Sequence, residues 1–189
     1  MPLELMTIAC LKDNYAYLVH DPETMHTACI DAPESGPILA VLSARRWELT
    51  HILLTHHHGD HIDGVAKLQA ATGAKVCGAA ADVHRLPPLD VELAEGDTLE
   101  VCGEAVEVID VPGHTIGHIA FHFPQSGFAF TGDSLMTVGC GRLFEGTPQM
   151  MWDSLRKLAA LPADTQVCSG HEYAESNLRF ALHLEPENP

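Results

Sequence analysis

The sequence predicts an α/β (α+β) fold in which two β-sheets pack face to face with helices on their outer sides. Three observations carry this expectation. Strand-like and helix-like segments intermingle along all 189 residues, with helices too few to alternate strictly with strands. The first three apolar segments are separated only by short turn sequences, as in an antiparallel meander. Three later strands each end in glycine followed by histidine or aspartate, which gathers those side chains at one edge of the fold.

The elements follow in order. Residues 3–9, 15–20 and 26–31 alternate or run apolar, with Asp13-Asn14 and Asp21-Pro22 at the turns. From Ser35 to Arg46, Ile38, Leu39, Val41 and Leu42 carry helical spacing. Ile52-Leu53-Leu54 completes a short buried strand over 51–54. A helix over 62–72 ends at Gly73, where a left-handed cap is expected. Strands are expected at 74–78, 98–101, 105–110, 118–123 and 127–131. A helix over 148–160 stops before Pro162, a strand follows near 165–168, and a last helix begins around Ala174. No repeat, low-complexity segment or long linker interrupts the chain, which has the size of one ordinary domain.

Composition narrows the function. The apolar share is 46%, yet no apolar stretch approaches the roughly 20 residues that span a bilayer, so no membrane partner is expected. Met1-Pro2-Leu3-Glu4 lacks a basic segment leading into an apolar one, so a cytoplasmic protein is expected. The six cysteines (Cys10, Cys29, Cys77, Cys102, Cys140, Cys168) form no Cys-x-x-Cys pair and are read as reduced and mostly buried. A formal net charge of −16 argues against nucleic acid and requires local cations for any anionic substrate.

The chemistry concentrates in Thr55-His56-His57-His58-Gly59-Asp60-His61. At a strand end, residues two apart point the same way, so His56 and His58 converge on one point. Gly59 then permits a sharp turn that brings Asp60 and His61 back towards it. Gly113-His114, Gly132-Asp133 and Gly170-His171 add ligand-type side chains from three other strand ends. Imidazoles and carboxylates at this density suit a metal site, and without thiolates zinc, iron and manganese all fit. His57 is expected to point away, His118 and His122 to pack or support ligands, and His51 to be structural. His20, His26, His84 and His183 fall outside every motif. Asp63 is read as favouring a helix dipole, and Asp31 and Asp110 as candidates to orient ligating histidines.

With these residues assembled, the chain resembles metallo-β-lactamase-fold hydrolases, and among them the hydroxyacylglutathione hydrolase (glyoxalase II) family. The resemblance rests on Leu11-Lys12-Asp13-Asn14-Tyr15, the 55–61 cluster, Pro112-Gly113-His114-Thr115, Thr131-Gly132-Asp133, the 139–146 run and Gly170-His171-Glu172-Tyr173. It implies a four-layer αββα sandwich holding two divalent metal ions, zinc first, with iron or manganese also compatible. His56, His58 and His114 would bind one ion, Asp60, His61 and His171 the other, with Asp133 bridging them. A hydroxide bridging the metals, held by Asp60 and Asp133, would attack a glutathione thioester such as S-D-lactoylglutathione.

Arg142, Phe144 and Tyr173 would contact that small-molecule substrate, Phe144 standing where some relatives have tyrosine. A monomer is expected. Residues 1–173 would form the catalytic domain and 174–189 a helical tail, the start of a helical domain that relatives carry and this sequence does not. A catalytic domain acting alone at a charge of −16 would bind glutathione thioesters weakly. The alternatives within the same fold are a persulfide dioxygenase, which uses a single iron, and another hydrolase such as a lactonase.

Overall fold

The computed structural model describes residues 3–188. Its first sheet contains β1 (Glu4–Cys10), β2 (Asn14–His20), β3 (His26–Ile30), β4 (Glu48–Leu53), β5 (Lys75–Ala79) and β6 (Val91–Leu93), hydrogen-bonded in that order. The second contains β7 (Thr98–Val101), β8 (Glu104–Asp110), β9 (Ile119–Phe123), β10 (Phe128–Gly132) and β11 (Gln166–Ser169), again side by side in chain order. Both sheets start as antiparallel meanders and finish in parallel pairings, β3 to β6 in one and β10 with β11 in the other. Parallel neighbours end on the same side, which is what brings several ligand-bearing strand tips to one edge.

Helices α1 (Ser35–Arg45) and α3 (Val65–Thr72) pack together outside the first sheet, and α4 (Pro148–Ala159) covers the second. The four-layer expectation holds. Between the sheets Ile30, Leu53, Phe121 and Phe130 are fully buried, and Leu18 and Ile52, on the other face of the first sheet, are fully buried in the same core. Phe130 meets Tyr17 and Phe123 edge to face, each at 5.4 Å between ring centroids. The Tyr17 hydroxyl donates to Ser169 O at 2.8 Å, tying β2 of one sheet to β11 of the other.

Three expectations change. The helix over 62–72 is two pieces: a turn, α2 (Gly59–Ile62), then α3. Gly64 between them packs against the chain that leads into α1, where a Cβ would lie 2.6 Å from Ala32 O and 2.7 Å from Ser35 N. Gly59 does not adopt a left-handed turn. It opens α2, so Asp60 and His61 reach the site from a helical turn, and Asp63 folds its carboxylate back beside Gly59. Finally, β6 is a three-residue edge strand, too short to show alternation in the sequence. Gly73 caps α3 at φ 72°, as expected.

The final helix, α5 (Ala174–Leu184), buries none of its residues. All six cysteines are unpaired, and only Cys140 is exposed.

Replacing Phe130 by Ala removes the ring that joins the two sheets. It is expected to cost about 3–5 kcal/mol, read as a lower urea midpoint at unchanged m-value.

Candidate metal centre

Strand geometry and one helical turn deliver the donors. His56 and His58 leave the end of β4, Asp60 and His61 lie on α2, and His114, Asp133 and His171 follow β8, β10 and β11. All seven expected residues come together. His58 Nδ1 stands 3.1 Å from His56 Nε2 and 3.0 Å from His114 Nε2. His171 Nε2 stands 3.4 Å from His61 Nε2 and 3.4 Å from Asp60 Oδ2. Asp133 lies between the two sets, with Oδ2 3.4 Å from both His114 Nε2 and His171 Nε2, and Oδ1 3.5 Å from His61 Nε2. Tetrahedral ligands at zinc–nitrogen bonds of 2.0–2.1 Å sit about 3.3 Å apart, so these separations fit a bound ion.

The outer ring nitrogens settle what the inner ones present. His114 Nδ1 donates to Arg142 O at 2.7 Å, His61 Nδ1 to Asp31 Oδ2 at 2.8 Å, and His171 Nδ1 to Asp13 Oδ1 at 3.0 Å. Thr55 gives its one hydroxyl proton to Asp31 Oδ2 at 2.8 Å, so its oxygen accepts from His56 Nδ1 at 3.0 Å. Four imidazoles therefore turn Nε2 inward. His56 and His114, whose pKa values are lowered, present bare lone pairs there, and His61 and His171, whose pKa values are raised, present them once a cation displaces the proton. Lone pairs facing lone pairs and carboxylates repel unless a cation stands among them. The buried Asp133 Oδ1, which has no hydrogen-bond donor, needs the same partner.

Electrostatics divides the cage. Burial, then the neighbouring rings of His61, His118 and His114, holds the His56 pKa well below the usual range. His58 and His114 are also lowered, chiefly by burial. Burial opposes charge on His171, but Asp133, Asp60 and Asp13 outweigh it and raise its pKa to about 10. Hydrogen bonding from His171 leads the causes that hold Asp60 far below the ordinary carboxylate value. Asp133 is also lowered: burial alone would raise it, and His171, His61 and His114 overcome that.

Several supporting residues carried no role in the sequence reading. Asn14 Nδ2 donates to Asp60 O and Oδ2, both at 3.0 Å, and fixes that carboxylate. Asp13, Thr55 and the Arg142 carbonyl orient histidines, and the turn and loop signals around them did not say so. Asp31 supports the cage as expected, accepting from Thr55 N as well as from Thr55 Oγ1 and His61. It does so from a left-handed backbone, φ 55°, which Asp tolerates.

Asp110 orients none of these rings, whose outer nitrogens go to Thr55, Asp31, Arg142 O and Asp13. His57 points away, to Asp82. His118 is buried, its pKa pushed down to about 3 by that burial, and its Nε2 accepts the Asp133 N–H at 3.1 Å. His122 pairs with Glu107 instead.

Two glycines make the convergence sterically feasible. A Cβ on Gly170 would lie 2.4 Å from Asp133 Oδ1 and 2.7 Å from His61 Cε1. Gly132 adopts φ 48°, and a Cβ there would meet Thr55 Oγ1 at 2.6 Å.

The cage floors a cavity of about 520 Å³ whose walls include Arg142, Phe144 and Tyr173. Tyr173 stacks on His171 at 4.8 Å and is partly exposed, so it is no core aromatic. Phe144 stands edge-on to His58 and His114, and the Arg142 guanidinium lies 5.3 Å from its ring.

A family model described as the metallo-beta-lactamase superfamily matches residues 27–171. The hydroxyacylglutathione hydrolase of Cereibacter sphaeroides (strain ATCC 17025 / ATH 2.4.3) is 68% identical over 189 residues, which is 100% of this chain and 74% of that protein. Among solved structures, TTHA1623 in a di-iron-bound form superposes with a TM-score of 0.75 at 32% identity, covering 89% of this chain and 92% of that one. The B3 metallo-beta-lactamase BLEG-1 shares the fold, with a TM-score of 0.83 at 22% identity over 89% of this chain and 92% of the other.

Two outcomes test the geometry. Asp31→Asn, which removes one acceptor from His61 and Thr55, is expected to weaken metal affinity by about 10–100-fold in chelator competition. Because the folded-state pKa of His171, about 10, lies above 7, its ring is protonated at pH 7 before metal binds. Burial opposes charge on His61, but Asp31, Asp133 and Asp60 raise its pKa too. Ligation requires neutral rings, so calorimetry in buffers of different ionisation enthalpy should read at least about one proton released per chain.

Proposed function

As the chain belongs to the metallo-β-lactamase superfamily and, within it, to the hydroxyacylglutathione hydrolases, we propose that its cage holds two divalent ions. His56, His58 and His114 take one, Asp60, His61 and His171 the other, and Asp133 links them. The protein is a thioester hydrolase that cleaves S-(2-hydroxyacyl)glutathione to glutathione and a 2-hydroxy acid. The observation that carries the assignment of ligands is the convergence of oriented ring nitrogens on two carboxylates. Nitrogen and oxygen donors at tetrahedral spacing favour zinc.

When bound, paired ions supply a nucleophile at neutral pH and an electrophile for the carbonyl oxygen. The chain's own residues do the rest. Asp60, held by Asn14 and open to the cavity, stays ionised and orients a water through Oδ2. Asp133, buried and ionised, holds the other side. Phe144 and Tyr173 wall the approach, and Arg142 offers a cation to the glutathione carboxylates, which a surface of net charge −16 otherwise repels. A thiol of pKa about 8.5 leaves as the thiolate, so no separate acid is required.

The second oriented ligand set favours the two-ion hydrolase over a one-iron dioxygenase. Residues 1–173 form the catalytic domain in this reading, and 174–189 a helical tail. The exposed Leu178, Phe180, Leu182 and Leu184 support that division, because α5 adds nothing to the core. The protein acts on a small molecule rather than on nucleic acid, as a cytoplasmic monomer. Among the described residues no helix is long and apolar enough to cross a membrane.

Chelation is expected to abolish hydrolysis of S-D-lactoylglutathione, and zinc to restore it at two ions per chain by elemental analysis. Asp133→Asn should lower kcat/KM by at least about a hundredfold and bind fewer than two ions.

A further inference from the structure

Beside the cage, and facing away from it, a second cluster joins His57, Asp82, Arg85 and Glu145. Asp82 ends a short 3-10 turn after β5 and is 1% exposed. Its Oδ2 accepts from His57 Nδ1 at 2.9 Å, and its Oδ1 accepts from Arg85 Nε at 2.9 Å. The Arg85 guanidinium then reaches Glu145 through both terminal nitrogens. Glu145 Oε2 accepts from Ile116 N at 2.8 Å, and Oε1 lies 3.7 Å from His57 Nε2. Asp82 is wedged against backbone, since a Cβ on Gly117 would lie 2.4 Å from its Cγ. Four segments meet here: the histidine loop, the turn after β5, the stretch after His114, and the loop ending in Glu145.

That last loop carries Arg142 and Phe144 but contains no strand or helix. Its backbone is held at Gly141, Phe144 and Gly146 by Asp133 O, His114 O and Gly113 O. Its charged anchor is Glu145. Arg85 heads the causes that hold the Glu145 carboxyl down to about 2, so the pair stays ionised at any physiological pH. A planar guanidinium can bridge two carboxylates on different segments, which an ammonium cannot do with the same geometry.

We propose that Arg85 and Glu145 form a clamp that positions the 142–145 loop, and through it sets affinity for the glutathione part of the substrate. Neither residue touches the cage donors or lines the cavity, so both are positioning residues. The inference rests on the reading of Arg142 and Phe144 as substrate contacts.

The test compares the metal-loaded wild type with Glu145→Gln, Arg85→Gln and Arg85→Lys. Glu145→Gln keeps an acceptor for Ile116 N and leaves Asp82 paired, so it survives should Arg85→Gln fail to fold. In both Gln variants, KM for S-D-lactoylglutathione and the calorimetric Kd for glutathione should rise about tenfold, with kcat and metal content within about twofold. Arg85→Lys should recover only part of the loss. Hydrogen exchange should quicken in 141–146 and stay unchanged in 55–61. Unmoved KM and Kd, or a KM change that tracks lost metal, would overturn the clamp. A wild type that hydrolyses no glutathione thioester would defeat the functional reading instead, and the exchange of 141–146 would still decide whether the clamp exists.

Discussion

The outward hydrogen bonds of the cage histidines are the constraint on which the structure depends. Each of His56, His61, His114 and His171 spends its Nδ1–H on a hydroxyl, carboxylate or carbonyl, which turns Nε2 into the cage and fixes the ring plane. The fold thereby gathers metal-binding donor atoms in one small volume. Asp31 is central, because one buried carboxylate serves Thr55 and His61 together, from the end of β3. It joins the tip of β4 to α2. A change at Asp31 would loosen both halves of the site.

Close approach is the second requirement. The ligands arrive from tips of both sheets, so the tips must nearly touch. Gly132 and Gly170 permit this, the first by a left-handed turn and the second by having no Cβ to strike Asp133. Glycine before the ligand is therefore a steric condition of the site as well as a flexible joint. The interlocked rings of Tyr17, Phe123 and Phe130 hold the sheets in register behind the tips.

Charge organises what surrounds the cage. A protein of net charge −16 that handles an anionic thioester must concentrate positive potential at one place. The acidic donors in the floor suit divalent cations, and Arg142 lines the wall. Carboxylates elsewhere serve as anchors: Arg85 bridges Asp82 and Glu145 and offsets one of their two charges, so the pairings hold loops together.

The sequence by itself named the seven donor residues that the structure gathers, because spacing and strand-end glycines express local geometry that period-two alternation makes legible. It also showed the first meander, the cap at Gly73 and, through resemblance, the four layers. It did not show the break before α3, which arises where Gly64 meets Ala32, or β6, which exists only through pairing with β5. It gave no role to Asn14, Thr55 or the Arg142 carbonyl, and it raised Asp110 as a support alongside Asp31. Those roles depend on distances between residues up to 158 positions apart, as for His171 and Asp13. Local pattern names the donors; only the packing of one sheet on the other decides which atoms hold them still.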